Sequence, residues 1–434
     1  MTPQSVDSIL DWLAKEALNG TDEATLVRGF SERCIDAGCP LERGLVLIDT
    51  IHPLYEGRAL LWEGDPAADF RENEFQPVSN DQEALQSWQR SLFFHMLRDG
   101  VSYARCRLAD GDTRGYKMAE DLRDAGYTDF VAVVYRLREA SSIEDADGFY
   151  AGWGTKVPEG FSDNHADALK RLTTQLALAL RLAAQTRLAD TLVQTYLGRD
   201  PGRRVLQGGI VRGRVEKISA VLWFSDLTGY TRLSEEASSD QIITLLNDYA
   251  EAVITSVHEA GGDVLKLIGD GILAIFSGGD LQQDSMAAMA AGRALGQRLH
   301  DLAERRRAEG LPVADVHLGI HFGDVYYGNI GSPDRLDFTV VGSAVNEVSR
   351  IASMCHSVDR RILCSAEFID LLPKEYQQNF VSVGRFALRG VGSARHLYTL
   401  DPSLLKNRQP LGSTGTEPTV ASDDVGAANG ALAK

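Results

Sequence analysis

Asp263-Val264-Leu265-Lys266-Leu267-Ile268-Gly269-Asp270-Gly271-Ile272-Leu273-Ala274-Ile275-Phe276 reads as two strands joined by a tight turn. Apolar residues fill both halves, and Gly269-Asp270-Gly271 supplies the turn. Asp-Gly at a hairpin tip is ordinary turn chemistry, so Asp270 by itself carries no function. Lys266 is different. It interrupts an apolar run between Leu265 and Leu267, so its ammonium must point away from the core or meet a partner.

Working outward from this hairpin, residues 218–224 form a short buried strand, and Ser238-Ser239-Asp240-Gln241 has the pattern that caps a helix reaching about Ala260. On that helix Ile243, Leu246, Ala250, Val253 and Val257 mark one apolar face. Downstream, the pattern predicts a helix over 283–307, strand-like runs at 317–322 and 325–330, a strand at 337–341 and a helix over 344–355. The β-α-β-β-α-β order, with additions, implies an α+β sheet covered by helices.

The preceding region mixes both kinds of element. Helices are predicted over 6–17 and 23–37, and strands over 44–51, 59–62, 130–135 and 149–154. Gly160-Phe161-Ser162-Asp163 then caps a long helix over 164–196, which Gly198, Pro201 and Gly202 end. Leu169, Leu172, Leu176, Ala179 and Ala183 keep a seven-residue rhythm on it. Either the helix pairs with its copy in a dimer or it packs on its own domain; Thr186 and Asp190 spoil the seam further along. After Pro402 the chain is poor in large apolar residues and reads as a disordered tail.

At 434 residues the chain accommodates two domains and a tail, and 44% hydrophobic residues support packed cores. A net charge of −17 argues against a broad nucleic-acid-binding face, while leaving room for a small basic pocket. The five cysteines are scattered and lack zinc-site spacing, so free thiols in a reducing compartment are expected. No secretory signal and no membrane-spanning stretch is evident, which predicts a cytoplasmic protein without membrane or nucleic-acid partners.

Three segments carry candidate chemistry. In Phe224-Ser225-Asp226-Leu227-Thr228-Gly229-Tyr230-Thr231 a strand delivers Asp226 to its exposed end. The amides of Leu227, Thr228, Gly229, Tyr230 and Thr231 can face an anion at a helix start. Asp226 there is either a magnesium ligand beside phosphate or a plain helix cap. In the hairpin, Asp270 is a second acid, and two acids on adjacent strand ends can share two metals for in-line displacement at phosphorus. In Val341-Gly342-Ser343-Ala344-Val345-Asn346-Glu347-Val348-Ser349-Arg350, Asn346 and Arg350 occupy one helix face. They either orient a ribose and stabilise a phosphorane or belong to a solvated face.

Together these segments, in this order and approximate spacing, resemble class III adenylate cyclases over about 185 residues. The resemblance implies a ferredoxin-like βαββαβ catalytic domain over 215–401. It would be preceded by an N-terminal regulatory α+β domain over 1–163 and a linking helix and connector over 164–214, with the tail at 402–434. It implies that Asp226 and Asp270 bind two Mg²⁺ or Mn²⁺ ions per site, with the Leu227 carbonyl helping. Thr228, Gly229, Tyr230 and Thr231 would line the phosphate turn. Lys266 would recognise adenine with Thr339 beside it, Asn346 would orient the ribose, Arg350 would stabilise the transition state, and Arg389 would meet the terminal phosphates. The implied reaction converts ATP to 3′,5′-cyclic AMP and pyrophosphate in a homodimer whose sites are shared between protomers. One departure is His317, where the family often carries Arg.

The N-terminal region more loosely resembles a GAF-like sensory domain, which implies an unknown regulatory ligand or protein. A Lys donor suits adenine N1, an acceptor, better than guanine N1, a donor. A guanylate cyclase and a catalytically weak nucleotide-binding or dimerisation module are the alternatives.

Overall fold

The computed structural model describes residues 1–49, 57–64, 70–75, 82–137 and 148–401. They fall into two units, Met1–Leu192 and a second from Val193 onward. The predicted tail and the last two residues of the 44–51 strand lie outside the described residues.

In the first unit, side-chain caps start both opening helices. Thr2 Oγ1 accepts from the Ser5 amide at α1 (Pro3–Asn19), and Asp22 accepts from the Thr25 amide at α2 (Glu23–Asp36). There follow β1 (Arg43–Asp49), β2 (Gly57–Glu63), β3 (Arg71–Phe75), α3 (Gln82–Gln89), α4 (Leu92–Arg98), β4 (Tyr103–Cys106), α5 (Lys117–Asp124), β5 (Asp129–Arg136), β6 (Gly148–Thr155) and α6 (Asp163–Leu197). The strands pair antiparallel in the order β3-β2-β1-β6-β5-β4. Strand alternation splits the core in two. Val131 and Val133 of β5 pack with α1, α2 and α6, while Phe130, Ala132 and Val134 pack with α4 and α5.

Ser162 caps α6 by accepting from the His165 amide. Leu169, Leu172, Leu176 and Ala179 are buried in the first unit's own core, so the seam seen in the sequence packs on its own domain. A different stripe faces outward, with Leu178, Leu182 and Tyr196 exposed. Gly198 ends the helix in a left-handed conformation (φ 91°), but Pro201 and Gly202 belong to a further helix, α7 (Arg199–Leu206). Pro201 is tolerated there because a first-turn residue needs no amide donor.

The second unit continues with β7 (Val215–Leu227), α8 (Tyr230–Glu236), α9 (Ser239–Glu259), β8 (Asp263–Ile268), β9 (Gly271–Phe276), α10 (Leu281–Ala308), β10 (Val316–Ser332), β11 (Arg335–Val341) and α11 (Ser343–Ser357). β12 (Ile362–Ser365), α12 (Ala366–Ile369), α13 (Lys374–Gln377), β13 (Phe380–Phe386) and β14 (Arg395–Leu400) complete it. Its sheet runs β13-β14-β12-β10-β7-β9-β8, with β11 paired to β10. This is the expected α+β arrangement. α9 and α10 cover one face through Val221, Trp223, Val253 and Leu295, and α11 covers the other through Ala344 and Val348.

The capping box at Ser238 and Gln241 forms as the sequence predicts. Of the expected apolar face of α9, Val253 and Val257 are buried and Leu246 and Ala250 pack against the core, but the stripe is centred further round the helix than expected. Ile242, Leu245, Tyr249 and Ala252 are buried, and Ile243 is exposed. Strand β10 is also continuous where the sequence suggested a break at Gly323-Asp324. Asp324 is an exposed cross-strand partner, accepting from Ser219 Oγ at 2.6 Å and pairing with Lys217 at 2.7 Å. Gly319 of β10 marks the close approach of α11, since a Cβ there would lie 2.6 Å from the Val348 carbonyl oxygen and 2.7 Å from the Ala352 amide.

Candidate active site

The two acids singled out in the sequence meet. β7 and β9 are neighbours, pairing Ser225 with Ile272, so the end of β7 and the β8–β9 turn are brought side by side. Gly269, at φ 65°, makes that turn without strain and leaves Asp270 at the tip. The Asp226 and Asp270 carboxyls are close enough for each to feel the other's charge. Burial, then the neighbouring Asp270 charge, pushes Asp226 up to about 6.

A raised carboxyl supports the fold below the ordinary aspartate range, and that support disappears as pH rises through about 6. At pH 8 the metal-free pair is therefore destabilising. Asp226→Asn is expected to raise the metal-free melting temperature at pH 8 by about 2–4 °C, about 1 kcal/mol once the group's partial exposure is discounted. The gain should vanish at pH 4; differential scanning fluorimetry in chelator at both pH values checks it.

The residues present fit a divalent cation. Among the described residues no three His, Cys, Asp or Glu side chains gather into a closed metal cage. Two carboxylates that repel one another, in an open position, suit an ion that completes its shell with water and phosphate oxygens. Thr228 Oγ1, two residues from Asp226, is buried without a hydrogen-bond partner. The Thr228 amide is taken by the Asp315 carbonyl at 2.7 Å, so that amide does not face an anion as expected. Gly229, Tyr230 and Thr231 open α8, with Gly229 at its N-cap (φ 73°).

A second group forms around Lys266. A β-bulge between Val264 and Lys266 re-aims the strand and leaves Lys266 exposed, so the lysine does not interrupt the buried surface. Its ammonium donates to Asp337 of β11. Phe338 and Val340 face the core, so Asp337 and Thr339 share the opposite side of β11. Asp337 is a residue that the sequence reading missed. Its signal was an acid two positions before Thr339 on an alternating strand.

A third group lies on α11. Asn346 is exposed and Arg350 half-buried, one turn apart. A Cβ on Gly390 would sit 3.5 Å from Arg350 Nη2, which places that guanidinium beside the exposed Arg389 loop between β13 and β14. His317 stands directly opposite Asp226 in the β7–β10 register. Burial and the nearby His356 ring, centroid 6.2 Å away, lower its pKa.

Residues 212–401 match the family model of the adenylate and guanylate cyclase catalytic domain. This domain belongs to that family. The cyclase domain is accompanied by similarity to an adenylate cyclase of Anabaena cylindrica, 36% identical over 146 residues, which covers 34% of this chain and 29% of that protein. The chain thus spans about a third of the length of such relatives. Among solved structures it is similar to the adenylyl cyclase CyaB from P. aeruginosa (26% identity, TM-score 0.40, 46% of this chain and 100% of that one). It is also similar to the guanylyl cyclase Cya2 (26% identity, TM-score 0.38, 43% and 93%). Class III cyclases generally use two divalent metal ions, and homologues of the cyclase domain bind nucleotides and act as dimers. Among the described residues, no helix is long and apolar enough to cross a membrane.

Proposed function

We propose that the chain is an adenylate cyclase that converts ATP to 3′,5′-cyclic AMP and pyrophosphate, with residues 215–401 as the catalytic part. The observation that carries the cyclase chemistry is that the β7–β9 pairing and the β8–β9 turn bring Asp226 and Asp270 side by side. The choice of ATP rests on Lys266. Its ammonium only donates, and adenine N1 accepts; the Asp337 carboxylate and Thr339 hydroxyl on the same side of β11 accept from a 6-amino group. Guanine reverses both demands at its N1 and C6 positions.

In the reaction, the ribose 3′-oxygen bonds to the α-phosphorus, the bond from that phosphorus to the β-phosphate bridge breaks to release pyrophosphate, and the 3′-hydroxyl proton passes to solvent water. Two Mg²⁺ or Mn²⁺ ions held by Asp226, Asp270 and the Leu227 carbonyl would supply charge neutralisation at the phosphates and acidify the attacking hydroxyl. The Asn346 amide orients the ribose, and the Arg350 guanidinium stabilises charge on the phosphorane. Arg389 and the turn of Thr228, Gly229, Tyr230 and Thr231 hold the triphosphate. Positioning and fixed charge supply most of the rate, without a dedicated side-chain base.

The proposed assembly is a homodimer in which the acids of one protomer act with Lys266, Asn346 and Arg350 of the other. Leu267 and Ile268, 56% and 50% exposed beside Lys266, and the exposed Tyr326, Leu336 and Val341 on the β10–β11 ribbon support a surface that association covers. The N-terminal unit, GAF-like in our reading, would regulate this dimer through α6, whose outward Leu178, Leu182 and Tyr196 offer a contact line.

Assaying purified protein with ATP or GTP and either Mg²⁺ or Mn²⁺ tests the proposal. Cyclic AMP is expected, with kcat/KM for ATP at least about 10-fold above that for GTP, the scale of one base-edge hydrogen-bond mismatch. Equal or preferred use of GTP would overturn the substrate assignment.

A further inference from the structure

Asn346 and Arg350 act only if α11 holds its place on the sheet, and one side chain between them is unusual. Glu347 is 5% exposed, yet it sits on the face of α11 that packs against β10 among Ala344, Val348 and Ile351. An apolar residue would fill that space at less cost, because a carboxylate taken out of water needs full compensation.

Arg395, the first residue of β14, provides it with a two-pronged contact, Nε to Oε2 at 2.8 Å and Nη2 to Oε1 at 3.2 Å. The third nitrogen of the guanidinium, Nη1, donates to Glu367 of α12 at 3.0 Å. On the β10 side, His321 is 4% exposed; its Nδ1 is 2.8 Å from Ser365 Oγ, and its Nε2 is 3.7 Å from Glu347 Oε2, beyond hydrogen-bond reach. Burial keeps His321 below the usual imidazole range in spite of Glu347 and Glu367, so the carboxylate's strong partner at neutral pH is Arg395.

We infer that Glu347 and Arg395 are positioning residues that fix α11, and with it Asn346 and Arg350, against the strand following the Arg389 loop. The pair joins two parts of the site that are distant in sequence. Arg350 already lies beside Gly390, and Arg395 starts the strand five residues later. A fork contact between planar groups sets both distance and orientation, which apolar packing does not. A slip of α11 by about 1 Å would disturb the transition-state contacts far more than the binding of ATP, whose base and metal-bound phosphates are held elsewhere.

This inference rests on the cyclase reading. The test uses the full chain with ATP and Mn²⁺, comparing Glu347→Gln and Arg395→Lys with wild type. Each is expected to lower kcat by about 10–100-fold with KM changed less than about twofold, and the double variant should be no worse than about threefold below the weaker single. If Glu347→Gln does not fold, Arg395→Lys, which keeps the charge and loses the fork, carries the same expectation. Wild-type kcat in the folded variants, or a KM rise at unchanged kcat, overturns the inference alone. A wild-type protein that forms no cyclic nucleotide overturns the cyclase reading beneath it.

Discussion

Replacing either acid, Asp226→Ala or Asp270→Ala, is expected to lower cyclic AMP formation by at least about 1000-fold under both Mg²⁺ and Mn²⁺. The magnitude follows from the small number of ligands. A site with two carboxylates loses half its fixed negative charge with one substitution, and no third acidic, His or Cys side chain among the described residues stands ready to replace it. The loss should fall on the charge distribution of the transition state, where oxygen–phosphorus bonds form and break, and raising the metal concentration should restore little. Asp226→Asn separates charge from shape. It keeps the volume and hydrogen-bonding reach of the side chain, so it is expected to be as inactive as the alanine variant while being more stable than wild type without metal at pH 8. Chromatographic measurement of cyclic AMP, with melting curves for the same preparations, checks both parts. More than a tenth of wild-type turnover in either alanine variant would contradict the role given to the pair.

The sequence carried some of this structure openly. Ser238 and Gln241 announce the start of α9 because a capping box is a local device. The β8–β9 hairpin is equally local, and a lysine within an apolar run at Lys266 advertises a side chain with an outside task. What escaped notice depended on partners distant in the chain. Asp337 gains its meaning from Lys266, 71 positions away. Glu347 received no role from the sequence because nothing nearby reveals Arg395, 48 positions on.

Gly323-Asp324 has the composition of a turn, yet α11 packs over the glycine and Lys217 and Ser219 occupy the aspartate, so the strand runs through. In the first unit, α3, α4, β4 and α5 are each eight residues or shorter, too brief for a periodic pattern to emerge before packing decides. The seven-residue rhythm of α6 was real, but an apolar seam says only that something covers it. Here the cover is the domain's own sheet.

The arrangement of the site across two subunits is tested most directly by mixing two inactive variants, Asp226→Ala and Arg350→Ala. If each site takes its acids from one protomer and its arginine from the other, a mixed dimer has one site with both substitutions and one with neither. Equal mixing makes half of the dimers mixed, so activity should return to about a quarter of the wild-type value. A mixture that exchanges subunits and still forms no cyclic AMP above the separate variants would contradict the account.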